Sequence, residues 1–247
     1  MPVVMLSTAW LGDGRPADGL RVLEDSLAAF QAVDGTEYER ANILAVIGIF
    51  HAAAGTPREG RADAEESLRL ARSVGNPSQL AISLATLGLV LVTDEPANAI
   101  PLLEEGLALT TAGASDVMWS MAQTGLGAAC AALGDRRRAL ESVRNAIVHA
   151  LAQGDGPSIA FALATGLSPL IEDVSPELVL LTVGLFRARG WWVQQGQLYD
   201  WIADRPSASP DEPHHAALRA QIEVMSFDDS VHRVLEEIDR EIARHDD

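Results

Sequence analysis

Residues 118–153 read MWSMAQTGLGAACAALGDRRRALESVRNAIVHALAQ. Apolar residues recur at helical spacing in 118–133 and again in 136–153, and Gly134-Asp135 interrupts the pattern between the two segments. The alternation of a β-strand, bounded by hairpin turns, is evident neither here nor elsewhere in the sequence. The stretch therefore predicts a hairpin of two helices, and the chain as a whole predicts an all-α fold.

The same hairpin pattern recurs along the chain at intervals of 39 to 41 residues. One recurring set is glycine: Gly48, Gly88, Gly127 and Gly166. A second set begins helical patterns: Pro57, Pro96, Arg136 and Pro176. A third set is a short string: Glu24-Asp25-Ser26-Leu27, Glu65-Glu66-Ser67-Leu68, Glu104-Glu105-Gly106-Leu107 and the looser Arg144-Asn145-Ala146-Ile147. Because one hairpin cannot cover its own apolar faces, such a repeat predicts hairpins that stack on their neighbours.

Small residues at fixed places in the repeat indicate how the hairpins touch. Gly88 and Gly127 lie inside predicted helices, where glycine costs about 1 kcal/mol relative to alanine. That cost is tolerable if the missing side chain lets a neighbouring helix approach closely. Small residues on the second helices are expected to do the same: Ser67, Gly106 and Ala146.

These residues resemble the tetratricopeptide repeat, whose consensus is Leu-Gly, a large residue, a Gly-Asp turn, Ala, an apolar residue and Ala. The positions that carry the resemblance best are Leu126-Gly127, Cys130, Gly134-Asp135, Ala139, Val143 and Ala146. A second period matches through Ile47-Gly48, His51, Gly55, Gly60, Ala64 and Ser67. The period is longer than the usual 34 residues of that family. It is similar to the arrays of large ATPase-linked bacterial regulators of the LuxR type, and so is the ending at 225–231.

The resemblance implies a right-handed superhelix of about five hairpins, in which the first helix of each hairpin lines a concave groove. The positions carried over to that groove are Asn42, Ile49, Ile82, Leu89, Met121, Thr124, Leu163 and Leu167, together with Ala45, Ala85 and Ala128. Most are small or apolar. Some family members grip a peptide carboxylate with Lys, Arg and Asn at such positions, and only Asn42 has a suitable residue type here, so that clamp is not expected. The groove is expected either to pack against the superhelix or the C-terminal helix, or to take an amphipathic helix or a small apolar ligand.

The composition restricts the partners and the compartment. Eighteen basic residues, all of them arginine, stand against 35 acidic ones, a formal net charge of −17. Such a surface repels phosphate backbones, so direct nucleic-acid binding is not expected. The single Cys130 fits a reducing compartment. The start lacks the pattern of a signal peptide, and the apolar run at 80–92 is too short to span a bilayer. The sequence predicts a cytoplasmic protein without a membrane partner, and the Arg-only, Ala- and Gly-rich usage suggests a bacterial source.

The periodicity fades after Arg189, which predicts a repeat array over 1–190 and C-terminal capping helices over 191–247. The last helix is expected to start at Ser226, with Asp229 three positions later in a capping-box pattern. Its apolar stripe comprises Phe227, Val231, Val234, Leu235, Ile238 and Ile242, with acids and arginines on the other face. This segment is expected to cover the last hairpin; the alternative is a docking helix, or a binding patch built from Trp191, Trp192, Tyr199 and Trp201.

No catalytic, metal or cofactor constellation stands out in the sequence. His51 and Cys130 occupy a position that usually holds a core aromatic residue, which predicts a buried structural role for each. His214-His215 lies in a loop-like stretch and is expected to be solvated. The basic run at 136–138 begins a helix and is expected to be a solvated turn, the alternative being a contact for an acidic partner. The acidic pairs 65–66 and 104–105 follow the repeat and are expected on exposed helix surface.

Two functions from different classes remain. The first is a protein-interaction scaffold or adaptor in bacterial regulation that binds a protein or peptide. The alternative is a sensor that binds a small molecule or short peptide in the groove and modulates a transcriptional or signalling partner. An enzyme is not expected, and no cofactor is implied.

Overall fold

A computed structural model describes residues 16–53, 56–110, 116–170, 172–189, 218, 220–222 and 224–244. Within these residues the secondary structure is helical and contains no strand, which confirms the all-α prediction. The helices are α1 (Pro16–Gln31), α2 (Glu37–Ala53), α3 (Pro57–Val74), α4 (Pro77–Leu91), α5 (Pro96–Thr110), α6 (Asp116–Ala132), α7 (Arg136–Ala152), α8 (Gly156–Phe161), α9 (Pro176–Arg189) and α10 (Phe227–Arg244). A π-helical segment, Ala162–Gly166, and a 3₁₀ turn, Ser168–Leu170, follow α8.

Local sequence explains where the helices begin. The four predicted starts are confirmed, because α3, α5, α7 and α9 begin at Pro57, Pro96, Arg136 and Pro176. Proline suits the first turn, where its missing N–H would have no helical partner. Asp135 caps α7 by accepting a hydrogen bond from the amide of Arg138 at 3.2 Å, and Gly134 before it has a φ of +82°. The Gly-Asp turn thus combines a left-handed residue with an N-cap.

Consecutive helices pack in pairs along the chain: α2 with α3, α4 with α5, and α6 with α7. Each second helix also contacts the first helix of the next pair, and the first helices α2, α4 and α6 lie in sequence beside one another. The segment comprising α8 and the π-helix continues this order against α6 and α7. A large apolar core runs through these layers from Ala64 to Ile238, and smaller clusters join α1 to α2 and α2 to α3.

Glycines lie where the two helices of a pair approach each other most closely. A Cβ on Gly48 would lie 3.0 Å from the carbonyl oxygen of Gly60, and a Cβ on Gly127 would lie 3.1 Å from that of Ala139. A Cβ on Gly88 would lie 2.5 Å from Cγ of Leu103. The close approach expected at Gly88 and Gly127 is confirmed, and Gly48 shows it as well. At Gly106 the nearest atoms would be 3.5 Å away, an ordinary contact, so that position has room for a methyl group.

Two second-helix side chains each lie between a pair of glycines. Leu103 of α5 contacts Gly88 of its own hairpin and Gly125 of the next first helix, where a Cβ would lie 3.0 Å from Cδ2 of Leu103. Val143 of α7 is placed in the same way: its Cγ2 would lie 2.9 Å from a Cβ on Gly127 and 2.5 Å from a Cβ on Gly166. Both side chains are fully buried.

Gly166 therefore does not have the role of the earlier members of its set. Its nearest neighbour is Val143 of the preceding pair, not a residue of the second helix that follows it. In this respect it resembles Gly125, which faces Leu103 of the preceding pair. A π-turn contains more residues than an α-turn, and each added residue rotates the following side chains by about 100° round the axis. Gly166 ends the π-segment and keeps the spacing of the set, but its contact differs from those of Gly48, Gly88 and Gly127.

The C-terminal helix α10 packs on α7 and α9. Its predicted stripe is buried at Val231, Val234, Leu235 and Ile238, while Phe227 and Ile242 are half-buried. Ser226 caps it, accepting from the amide of Asp229 at 3.1 Å and donating its hydroxyl to that carboxylate at 2.6 Å. The burial agrees with the covering role expected of this helix. The prediction that its acids lie on the other face is wrong for Glu237 and Glu241, which are 3% exposed.

Candidate binding face on the first helices

The first helices after α2 carry very little charge. The sequences of α4 and α8 contain no Asp, Glu, Lys or Arg, and α6 contains only Asp116, whereas α2 has Glu37, Glu39 and Arg40 at its start. The second helices α3, α5 and α7 hold most of the charged residues of the stack. The surface that α4, α6 and α8 leave exposed is therefore almost free of charge, and the charged residues of α2 lie in its first turn.

Five of the predicted groove residues retain partial exposure, and they come from three successive first helices: Asn42 and Ile49 in α2, Ile82 and Leu89 in α4, and Met121 in α6. The other six are buried: Ala45, Ala85, Thr124, Ala128, Leu163 and Leu167. The hydroxyl of Thr124 donates to the carbonyl of Ser120 in its own helix at 2.8 Å. Leu163 and Leu167 belong to the large core. The exposed part of the candidate face therefore spans α2, α4 and α6, and it closes at α8.

Asn42 is engaged in a hydrogen-bond chain between hairpins. Its Nδ2 donates to Oε1 of Gln79 at 3.2 Å, and Nε2 of Gln79 donates to Oγ of Ser83 at 3.3 Å. Oγ of Ser83 and Oγ of Ser67 are 2.7 Å apart, and the hydroxyl of Ser67 donates to the carbonyl of Ala41 at 2.7 Å. Because the hydroxyl hydrogen of Ser67 is donated to the carbonyl of Ala41, the hydroxyl of Ser83 must be the donor to Ser67. The chain thus has one direction and joins α2, α4 and α3.

Gln79 and Ser83 were not singled out from the sequence, and Ser67 was singled out only as a small residue at a helix contact. Ser67, Gln79 and Ser83 are completely buried, and each has its polar atoms paired. Buried polar groups that are all hydrogen-bonded favour one arrangement of the neighbouring helices, because another arrangement would leave a buried donor or acceptor without a partner. The sequence signal was weak: Gln79 and Ser83 lie four positions apart in α4, which also contains the polar residues Ser78 and Thr86.

The second helices present ion pairs on their exposed side. Arg61 pairs with Glu95, and Arg138 pairs with Glu104, each across to a neighbouring hairpin. Nη2 of Arg136 lies 2.7 Å from Oδ1 of Asp173. Arg137 donates from Nε to Glu141 at 2.9 Å in its own helix. All three arginines of the basic run 136–138 therefore form ion pairs within the molecule. This differs from both expectations, a solvated turn and a contact for an acidic partner.

Cys130 has the buried position predicted for it, with 1% exposure, and burial raises the pKa of its thiol. His51 does not: 16% of its side chain is exposed, and its ring contacts polar groups. Nδ1 of His51 lies 2.9 Å from Oγ1 of Thr56, and Nε2 lies 3.6 Å from Oδ2 of Asp63. His51 is in the last turn of α2, where the chain reverses, so its neighbours are the turn and the start of α3. Burial raises the pKa of Asp63, with His51 acting in the opposite direction.

The predicted acidic pairs lie at the surface. Glu65, Glu104 and Glu105 are exposed, and Glu66 is half-buried. Glu66 accepts two hydrogen bonds from Arg69, which lower the pKa of its carboxyl. Among the described residues, no three His, Cys, Asp or Glu side chains converge as metal ligands. His214-His215 and the aromatic residues 191, 192, 199 and 201 lie outside the described residues.

Comparison with known proteins adds no relative. A scan against protein-family models finds no match, and a search of curated proteins finds none that is significantly similar. In the part of the chain that the structure describes, no helix has both the length and the apolar content required to cross a bilayer. The tetratricopeptide resemblance therefore rests on the residues themselves.

Proposed function

We propose that this chain is a protein-binding scaffold of the tetratricopeptide type, acting in the cytoplasm of a bacterium as a regulatory adaptor. In this proposal the stacked hairpins form a right-handed superhelix of about five units, and the first helices line its concave side. A binding role is proposed rather than a catalytic one. The observation that carries it is that uncharged groove residues of three successive first helices are partly exposed.

The chemistry of that face indicates what it would bind. Ile49, Ile82, Leu89 and Met121 offer aliphatic and thioether surface, and α4 between the flanking helices contributes no charge. Because Asn42 is already hydrogen-bonded to Gln79, a peptide carboxylate has no free anchor there. An apolar stripe of a partner helix fits such a surface better than a charged peptide end does.

The test uses substitutions on the face and a matched control off it. Ile82→Glu and Leu89→Glu place carboxylates on the first-helix face, whereas Val148→Glu places one on α7, where Val148 is 40% exposed. Tagged full-length protein would be recovered from its native cell after crosslinking. We expect a specific partner protein with the parent and with Val148→Glu, and its loss with the two face variants.

The alternative function, a sensor for a small apolar ligand, is addressed in the same experiment. Thermal denaturation of the parent with a library of apolar metabolites would show a concentration-dependent stabilisation if a ligand binds the folded state. Recovery of the same partner by all three variants would reject the face as the protein-binding site. Stabilisation by a metabolite in the parent and Val148→Glu, but not in Ile82→Glu, would favour the sensor.

A further inference from the structure

The hydrogen-bond chain that ends at Asn42 determines which way the Asn42 amide points. Each serine hydroxyl has a single hydrogen, which Ser67 donates to the carbonyl of Ala41 and Ser83 donates to Ser67. Oγ of Ser83 therefore accepts from Gln79, whose Nε2 faces Ser83 and whose Oε1 faces Asn42. Asn42 must present its donor, Nδ2, to that oxygen. Its acceptor, Oδ1, is thus the free end of the chain and is directed away from Gln79.

This oxygen of Asn42 is open to a binding partner. No described residue donates a hydrogen bond to Oδ1, and Oδ1 is not a buried atom, so it is accessible from outside. Asn42 itself is half-buried. It lies two turns before Ile49 in α2, and its partner Gln79 lies one turn before Ile82 in α4. The first-helix face therefore has an oriented hydrogen-bond acceptor at the end where α2 and α4 begin.

Two neighbours of Asn42 in α2 favour a cation at this place. Tyr38 and Glu39 precede Asn42 by four and three residues, so helical spacing puts the three side chains on one side of α2. Glu39 is exposed and takes part in none of the described ion pairs, and Tyr38 is half-buried. A carboxylate, an amide oxygen and an aromatic ring are groups that attract a guanidinium or ammonium ion. We call these three residues the α2 corner.

Arg40 does not neutralise the α2 corner, because it lies on another side of the helix. Hydrogen bonds from Arg69 lower the pKa of Glu66 in α3, and the charge of Arg40 acts in the same direction, which places Arg40 near Glu66. Two positions along a helix correspond to about 200° of rotation, so Arg40 and Asn42 project from nearly opposite sides of α2. The net charge of −17 further favours a basic partner.

We propose that the α2 corner binds an arginine or lysine side chain of the partner helix, at one end of that helix's apolar stripe. This assignment rests on the proposed function, because it takes the first-helix face as the place where the partner helix lies. The cation donates to Oδ1 of Asn42 and to the carboxylate of Glu39, and its stem lies against Tyr38. The partner class is an amphipathic helix whose apolar stripe ends at a basic residue.

Selection of peptides tests this recognition without a known native partner. A phage-displayed library of amphipathic helices, randomised around a constant leucine stripe, is selected against the full-length protein, and clones that also bind Ile82→Glu are discarded. We expect the remaining peptides to carry arginine or lysine at one recurrent position beside the stripe. Replacing that residue by norleucine in a synthetic peptide should weaken binding at least about ten-fold in fluorescence anisotropy, because a hydrogen bond to a charged group is lost.

A double-mutant cycle locates the cation. The loss caused by norleucine should be several-fold smaller on Glu39→Gln and on Asn42→Leu than on the parent. The control Glu105→Gln removes an exposed carboxylate from α5 and should leave the full loss in place. Asn42→Leu also deprives Oε1 of Gln79 of its donor, so circular dichroism must show that this variant is folded. If it is not, Glu39→Gln decides the question, since its side chain is exposed.

The outcomes separate this inference from the proposed function. An undiminished loss on Glu39→Gln, or face-bound peptides without a recurrent basic residue, would overturn the assignment of the α2 corner and leave the proposed function standing. If no selected clone distinguishes the parent from Ile82→Glu, the first-helix face is not a helix-binding site, and both proposals fail.

Discussion

Gly88 of α4 faces α5, and Gly106 of α5 faces α4 in the same hairpin. Substitution by alanine should nevertheless have opposite effects on stability at the two positions. Removing glycine from a helix interior stabilises it by about 1 kcal/mol, and this gain is common to both substitutions. At Gly106 the new methyl carbon would make ordinary contacts at 3.5 Å. We therefore expect Gly106→Ala to raise the free energy of unfolding by up to about 1 kcal/mol.

At Gly88 the same methyl carbon would lie 2.5 Å from Cγ and 2.7 Å from Cδ2 of Leu103. Normal carbon contacts are about 3.5 to 4.0 Å, so the overlap is about 1 Å. Leu103 cannot retreat, since it is fully buried and already lies against Gly125. Overpacking of this kind costs about 1 to 3 kcal/mol. Because the helix-propensity gain cancels between the two variants, their unfolding free energies should differ by that amount.

The assay is urea unfolding of each variant, followed by far-UV circular dichroism. A second pair of measurements, made in a Leu103→Ala background, isolates the clash. With the Leu103 side chain gone, Gly88→Ala should become stabilising by about 1 kcal/mol, a reversal of sign. If Gly88→Ala stabilises the parent as much as Gly106→Ala does, or if its effect keeps the same sign in both backgrounds, the close-packing argument fails.

Three further predictions follow from buried groups. Ser67→Ala should lower the free energy of unfolding by about 1 to 3 kcal/mol, because the hydroxyl of Ser83 loses its acceptor. The control is Thr124→Ala, which removes a hydroxyl that donates within its own helix, and it should lower the free energy of unfolding by less in the same urea titration. Burial raises the pKa of Asp63 in the folded state, so its ionisation lowers the free energy of unfolding once the pH exceeds the pKa of the unfolded state. The destabilisation is complete above the folded-state pKa, and Asp63→Asn should therefore gain stability relative to the parent as the pH is raised from strongly acidic to neutral. A stability difference that does not depend on pH would contradict this. Burial disfavours the thiolate of Cys130, so a thiol reagent should label it only as fast as the surrounding helices open, and labelling at the rate of a free thiol in native conditions would refute its placement.

The helix pairs could be predicted because their boundaries are encoded locally. Pro57, Pro96 and Pro176 fix the backbone at a helix start regardless of what packs nearby, and Gly134-Asp135 combines a turn with a cap. The spacing of Gly48, Gly88 and Gly127 then indicates where two helices approach. These signals depend only on the backbone preferences of single residues, which the amino-acid sequence states directly.

The details that were missed depend on tertiary partners. Nothing local distinguishes Gln79 and Ser83 from solvated polar residues until Ser67 and Ala41 are brought beside them. Glu237 lies next to the apolar stripe of α10, and only the position of α9 makes it buried. For the candidate face, the small or apolar character of its residues was predictable. The burial of Leu163 was not, because it follows from the packing of the irregular segment after α8.

Val143 lies between two glycines that are 39 positions apart in the chain and belong to different helical units. A larger residue at either glycine would have to be matched by a smaller one at Val143, and a smaller residue there would loosen both contacts at once. Substitutions at these three positions should therefore be epistatic, each changing which replacements the other two can accept. Among descendants of this sequence, we expect positions 127, 143 and 166 to change together or not at all.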